Sequence, residues 1–209
     1  AGALSLASCE SWLDEDPQYT INTKTQFSTV ENARQALMGC YGYMSADNAY
    51  GQAWQEVTFG YCGFGWSQTN GSSTDLLVSM DGGIDETINT MAWRGMYKVI
   101  GETNAFIANI ADSPLESADK LPMEAAARFL RALAYYNLAV TYGDVPLKTT
   151  PSAHDGVAVP RSPKNEVFEL VRTDWEFAYE NLPEKDDDGF ATKWAAKAYL
   201  GKLYHTLGC

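Results

Sequence analysis

The chain has 209 residues, of which 15 are lysine or arginine and 27 are aspartate or glutamate, so its formal net charge is −12. This balance argues against a nucleic-acid-binding protein, because such proteins need a basic face that displaces counterions. It argues equally against charge-driven docking to an anionic membrane, and no apolar run approaches the roughly 20 residues that span a bilayer. The distinctive feature is an aromatic content of 12%, with 6 tryptophans and 12 tyrosines.

Residues 1–27 predict a lipoprotein signal remnant followed by an extended tether. The chain opens with small and apolar residues, and Leu6-Ala7-Ser8-Cys9 resembles the bacterial lipobox, in which the cysteine is lipidated and becomes the mature N-terminus. Residues 10–27 are polar and lack periodicity. We therefore expect Cys9 to be a lipid anchor. The alternative is a chance occurrence of these four letters in a stretch of small residues.

Residues 28–209 predict a helical domain. The segment Ser28–Glu31 has the spacing of a capping box, and apolar residues at intervals of three and four predict a helix from there to about Ala46. From Tyr50 to Thr90 the periodicity breaks, and frequent glycines, serines and turn pairs predict a long irregular loop.

Three further helices follow in the predicted order. One contains Trp93 to Ile110, and the next has Pro122 in its first turn and stops at Gly143. A third is capped at Ser162-Pro163, and a last one is capped by Thr192. We predict an all-α fold of tetratricopeptide-like antiparallel helix pairs with a long irregular loop insertion. The alternative is a generic helical bundle, because the 34-residue period of such repeats is not kept.

Catalytic and metal-binding patterns are weak. The two histidines, His154 and His205, have no neighbouring ligand or nucleophile in the sequence, so metal-dependent hydrolysis and Ser-His or Cys-His catalysis lack local support. Residues 81–86 carry acidic oxygens that could hold Ca²⁺, but they lack EF-hand spacing. Residues 186–188 are interpreted as a solvated acidic run. We predict no catalytic residue, no metal and no cofactor.

The irregular segment concentrates aromatic side chains among glycines. A flat indole or phenol face suits the apolar face of a sugar ring, while Tyr O–H and Trp N–H groups can bond a hydroxyl. Neighbouring polar side chains would fix the orientation of such a ligand. The alternative is that these rings staple the segment to the helices. The aromatic residues are Tyr50, Trp54, Phe59, Tyr61, Phe64 and Trp66. The predicted glycan-binding residues are Trp54, Tyr61, Trp66, Asn70 and Asp75.

Several segments, in order, resemble the SusD/RagB family, the glycan-binding outer-membrane lipoproteins of Bacteroidetes. Each segment alone is short, and the resemblance rests on their number and order along nearly the whole chain. The segments are Cys9 with Trp12-Leu13-Asp14 and Pro17, Trp93 to Asn104, Ala126 to Leu138, Tyr142-Gly143-Asp144-Val145-Pro146-Leu147, Pro160-Arg161-Ser162, Leu182-Pro183, and Thr192 to Ala196.

The resemblance implies a helical scaffold that captures an oligosaccharide without catalysis. It implies a lipid-anchored protein exposed on the outer membrane, partnered by a SusC-like TonB-dependent transporter and binding no nucleic acid. Family members are much longer, so this chain is expected to be a truncated N-terminal domain whose glycan site is completed elsewhere. The matched motifs are scaffold motifs, and Arg131, Asp144 and Arg161 are expected to be structural.

Two other functions remain open. The first is a helical-repeat protein-interaction scaffold without a small-molecule ligand, which would expose an apolar groove on its helix pairs. The second is a glycan-processing enzyme, for which a pair of carboxylates brought together by the fold would be sufficient.

Overall fold

The computed structural model describes residues 23–60, 62, 87–151 and 159–208. These residues are mostly helical, and the prediction of an all-α fold is confirmed. The helices are α1 (Thr23–Gln26), α2 (Val30–Ser45), α3 (Ala53–Gly60), α4 (Thr87–Ala111), α5 (Ser117–Tyr142), α6 (Lys164–Asn181) and α7 (Lys193–Gly208), with a π-helical turn at Asp47–Gly51 and two short strands, β1 (Val145–Pro146) and β2 (Arg161–Ser162).

Helix α2 begins close to its predicted start. Thr29 is the N-cap residue, and its Oγ1 accepts a hydrogen bond from the backbone N–H of Asn32 at 3.2 Å. A capping hydroxyl satisfies one of the amide groups that the first helical turn leaves without a partner. The buried face consists of Ala33, Leu37, Cys40 and Met44, which follow the predicted helical spacing. Burial raises the pKa of the Cys40 thiol to about 12, as expected for a cysteine that serves as a small core side chain.

The first part of the predicted irregular loop is helical, which corrects the sequence interpretation. The π-helical turn and α3 together occupy most of residues 47–60. The turn lies directly on α4, because a Cβ placed on Gly95 would stand only 1.8 Å from the backbone oxygen of Asn48. Ala53 and Val57 then face the core one turn apart. Four apolar side chains in eight residues, one of them on the exposed side, are too few for sequence periodicity to distinguish a helix from a loop.

Helix α5 also begins earlier than predicted, so Pro122 lies inside it rather than in its first turn. Proline has no backbone N–H, so this position lacks one intrahelical hydrogen bond. The predicted end at Gly143 is confirmed, since this residue has φ 74° and its N–H bonds the carbonyl of Ala139 at 3.2 Å. Glycine is favoured there because it adopts positive φ without steric cost.

The start of α6 is capped from a distance. Strands β1 and β2 pair antiparallel, with Val145 opposite Ser162. This pairing brings Asp144 to the helix, where its Oδ1 accepts from the backbone N–H of Lys164 at 2.8 Å. The cap is therefore Asp144, and the predicted Ser162 cap is wrong. A carboxylate at this end also interacts favourably with the helix dipole.

Helix α5 forms the centre of the molecule. It packs against α4 and α6, while α2 lies over α4 and α5, and α7 packs on α6. Four of its alanines are fully buried, namely Ala125, Ala127, Ala132 and Ala134. Such small side chains allow helix axes to approach closely. Among the described helices, none is long and apolar enough to cross a bilayer.

Candidate functional site

Most of the predicted site lies outside the described residues. Tyr61, Trp66, Asn70 and Asp75 belong to this group, as does the predicted lipid anchor Cys9. Trp54 is the one predicted glycan-binding residue that the structure describes. The described part of the predicted segment consists of the π-helical turn and α3.

Trp54 lies on the inner side of α3. Its side chain is 7% exposed and belongs to the hydrophobic core. Its ring centroid is 6.4 Å from that of Tyr50, with the two planes tilted by 40°. The expectation that Trp54 offers an exposed ring is therefore wrong, because the ring faces have been used for packing. For Trp54 and Tyr50, the structure agrees with the alternative that these rings attach the segment to the helices.

Tyr50 connects the π-helical turn to the middle of α5. Its hydroxyl accepts a hydrogen bond from Asn137 Nδ2 at 2.7 Å. Burial raises the pKa of the Tyr50 phenol, although the Asn137 bond opposes the shift. The backbone oxygen of Tyr50 also accepts from Gln55 Nε2 at 2.7 Å. These bonds fix the rotation of α3 about its own axis relative to the core.

The outward side of α3 carries the most exposed ring in the described part of the chain. Phe59 is 64% exposed, and Gln55, one turn before it on α3, is exposed on the same side. Gln52 Nε2 donates to Glu56 Oε1 at 2.7 Å. Sequence reasoning selected Trp54 instead of Phe59 because it treated the segment as a loop. The four-residue spacing of Ala53 and Val57 was the signal that could have placed Phe59 outside.

A buried ion pair joins α5 to α6. Arg131 donates from Nε and Nη2 to the two carboxylate oxygens of Asp174, both at 2.8 Å, and from Nη1 to Asn104 Oδ1 at 2.8 Å. Arg131 is 5% exposed and Asp174 is fully buried. Arg128 Nη1 lies 3.6 Å from the same carboxylate. Since Arg131 bonds buried groups of α4 and α6, its expected structural role is confirmed.

Side chains of α4 and α5 also hold the segment 146–150, which begins at the last residue of β1. Asn104 Nδ2 donates to the carbonyls of Lys148 and Thr150, at 3.0 and 3.2 Å. The Tyr135 hydroxyl donates to the Lys148 carbonyl at 2.8 Å and accepts from the Lys148 N–H at 2.6 Å. The Tyr97 hydroxyl donates to the Pro146 carbonyl at 2.7 Å. Helices α4 and α5 therefore hold this segment through its backbone, independently of its side chains.

The acidic run 186–188 is partly structural. Arg34 bonds Asp186 at 3.0 Å and Asp188 at 2.6 Å, so the interpretation as a purely solvated run is corrected. Partial burial opposes ionisation of Asp186, but the bonds from Arg34 and from two backbone N–H groups lower its pKa overall. No group of three or more potential ligands, counted over the described ranges, could hold a metal ion. His154 lies outside those ranges.

The family comparison covers nearly the whole chain. A family model described as SusD-like and "Starch-binding associating with outer membrane" matches residues 11–205. SusD-like protein P25 of Formosa agariphila is 25% identical over 214 residues, which is 96% of this chain and 40% of the relative. A SusD-like protein of Bacteroides ovatus is 33% identical over 125 residues, which is 58% of this chain and 23% of the relative. The chain thus spans less than half the length of these curated relatives.

Solved structures support the same assignment. A laminarin-binding SusD-like protein superimposes with a TM-score of 0.74 at 25% identity, covering 87% of this chain and 41% of that protein. A structure determined with a xylogluco-oligosaccharide gives a TM-score of 0.73 at 26% identity, covering 82% of this chain and 34% of that protein. With the fold, the motif order and the family match in agreement, the chain belongs to the SusD-like family.

Proposed function

We propose that this chain is the scaffold part of a non-catalytic surface lipoprotein that binds an oligosaccharide or polysaccharide. The observation that carries the proposal is the match of residues 11–205 to a family described as starch-binding and associated with the outer membrane. Two structural neighbours with comparable folds are named for laminarin and for a xylogluco-oligosaccharide. Because the relatives are more than twice as long, we assign the complete activity to the longer protein.

The proposed glycan contacts are Tyr61, Trp66, Asn70 and Asp75, which follow α3 in sequence. Aromatic faces would stack on sugar rings, and the amide and carboxylate groups would select the hydroxyl pattern. Trp54 has a supporting role in this proposal, since its buried ring holds α3 on the core. A rigid base lowers the conformational entropy lost when a ligand binds.

Membrane attachment and the partner protein form a second part of the proposal. Cys9 would carry the lipid, and the glycan would pass to a SusC-like TonB-dependent transporter. Each buried CH₂ of an acyl chain contributes about 0.8 kcal/mol, so a Cys9→Ala variant should move from the membrane to the aqueous fraction. Retention of that variant in the membrane fraction would contradict the assigned anchor. Co-purification of the transporter with the lipidated protein tests the partner.

An interaction scaffold without a small ligand is the second candidate. Helix α7 exposes Trp194, Tyr204 and Leu207, each at least half exposed. Exposed apolar groups on one helix are typical of a protein-contact surface. This function would leave the protein without affinity for polysaccharides.

Affinity electrophoresis separates these functions. Full-length protein is run in native gels containing laminarin, xyloglucan or starch, next to gels without polysaccharide. We expect retardation of the wild type in at least one gel and loss of retardation in Trp66→Ala. Trp194→Ala is the matched control, because it removes an exposed indole far along the chain. Equal mobility of the wild type in every gel would exclude the proposed function, and release of reducing ends would exclude a non-catalytic role.

A further inference from the structure

Phe59 presents a flat apolar surface that packing among the described residues does not explain. It is 64% exposed, the highest value among the exposed large hydrophobic side chains of the described residues. No described aromatic ring pairs with it, whereas Tyr50 and Trp54 on the same segment pack together. A phenylalanine ring left in water forgoes the hydrophobic stabilisation that its burial would supply.

The surroundings of Phe59 are polar and include one carboxylate. At about 100° per residue, Gln55 and Phe59 form a strip about 40° wide around the axis of α3, and Glu56 lies about 60° from Phe59 on the other side. The Gln55 side-chain amide donates to the Tyr50 carbonyl, and its Oε1 makes no hydrogen bond within the described part of the chain. Glu56 lies beside this strip and is held by Gln52. An apolar ring beside amide groups is complementary to a sugar, which has an apolar C–H face and a rim of hydroxyls.

The dimensions of the strip favour a glycan over a folded protein. Helix α3 has eight residues and is therefore about 12 Å long. A stable protein interface needs about 800 Å² on each partner, which exceeds the area of one such strip several-fold. A short stretch of an oligosaccharide can cover a single ring and the amides next to it.

We propose that Phe59 is a glycan-stacking residue, with Gln55 as the adjacent hydrogen-bonding group. The ligand class is a neutral oligosaccharide, because Gln55 and Phe59 carry no charge to attract an anionic one and the Glu56 carboxylate beside them would repel it. This inference rests on the proposed function and replaces Trp54 by Phe59 as the ring that α3 contributes. Trp54 and Tyr50 then act as positioning residues, because they fix the rotation that directs Phe59 outward.

Full-length variants in the same polysaccharide gels test this role. Phe59→Ala should weaken retardation at least about fivefold in apparent affinity, as truncation of a central binding residue does, while Phe59→Trp should keep it. Phe59→Leu should behave like Phe59→Ala, since it keeps an apolar side chain but loses the flat ring. Gln55→Ala should weaken retardation less than Phe59→Ala. Tyr179→Ala is the control, because Tyr179 is an exposed ring on α6.

The outcomes separate this inference from the proposed function. Thermal unfolding should be unchanged in Phe59→Ala, because the side chain is exposed. A retarded wild type with an equally retarded Phe59→Ala variant overturns the role of Phe59 and leaves the proposed function intact. A wild type that no polysaccharide retards overturns both. Loss of affinity together with a lower unfolding temperature would assign Phe59 to folding and overturn its role in stacking.

Discussion

Removing the carboxylate of Asp174 should destabilise the fold strongly. Asp174 is fully buried and accepts two bonds from Arg131, which is itself 5% exposed. Asp174→Leu would leave the Arg131 guanidinium buried with only the Asn104 bond, whereas Arg128 would keep its ion pair with Glu124 at 2.6 Å. Breaking one half of a buried ion pair costs about 3–5 kcal/mol. That amount is a large fraction of the roughly 5–15 kcal/mol that stabilises a typical domain.

Removing both partners should cost less than removing either one. In the double variant Arg131→Met with Asp174→Leu, no buried charge remains without a partner, and side chains of similar size fill the space. Replacing a buried ion pair by apolar groups is often neutral. The remaining cost is the Asn104 Oδ1 acceptor, which loses its donor at about 1–3 kcal/mol. We therefore expect the double variant to be more stable than either single variant.

Urea unfolding of the full-length protein measures this cycle. The midpoint should fall most for Asp174→Leu and for Arg131→Met, and it should recover partly in the double variant. The control is the exposed pair of Lys185 Nζ and Asp187 Oδ1, which lie 2.8 Å apart. Asp187→Asn should change the urea midpoint little, since surface pairs contribute about 0–1 kcal/mol. A double variant less stable than both single variants would refute the reasoning, because the two losses would then simply add.

Two further predictions concern backbone approach and acid sensitivity. Gly95→Ala should lower stability by about 1–3 kcal/mol, because its Cβ would collide with the π-helical turn at 1.8 Å. A Cβ on Gly201 would have no atom within 4 Å, so Gly201→Ala should raise stability by about 0.5–1 kcal/mol. Equal changes of the urea midpoint in Gly95→Ala and Gly201→Ala would contradict this reasoning. The pKa of Asp186 is lowered in the folded state, so its stabilisation is present above its unfolded pKa of about 4 and is lost as pH falls through the folded value. In Asp186→Asn, the unfolding midpoint should therefore decrease less steeply as the pH falls below about 4. A pH dependence equal to that of the wild type would exclude this contribution.

The long helices could be predicted from sequence because each repeats its apolar positions over several turns. Helix α2 buries Ala33, Leu37, Cys40 and Met44 at the predicted spacing. A local rule is sufficient in such cases, since residues three and four apart share one face. The capping-box spacing places the N-cap at Ser28, one residue before the observed cap Thr29, whose partner Asn32 is three residues away.

Contacts between distant parts of the chain could not be predicted in this way. The Asp144 cap of α6 acts across 20 residues, so a local capping rule chose Ser162 instead. The Arg131–Asp174 pair is 43 residues apart, and several acidic residues are equally plausible partners until α5 and α6 are packed together. Such contacts depend on strand pairing and helix packing, which no short pattern encodes.

The prediction of a loop where α3 lies also led to the wrong choice of a sugar-stacking ring. In a loop, Trp54 and Phe59 could both face the solvent, and the larger indole is the natural choice for stacking. In a helix the two side chains are five residues apart, which places them about 140° from each other around the axis. Only one of them can then face outward, and the Tyr50–Asn137 bond at 2.7 Å, with Ala53 and Val57 in the core, selects Phe59. The ring that α3 can offer to a sugar is therefore decided by the packing of its opposite side.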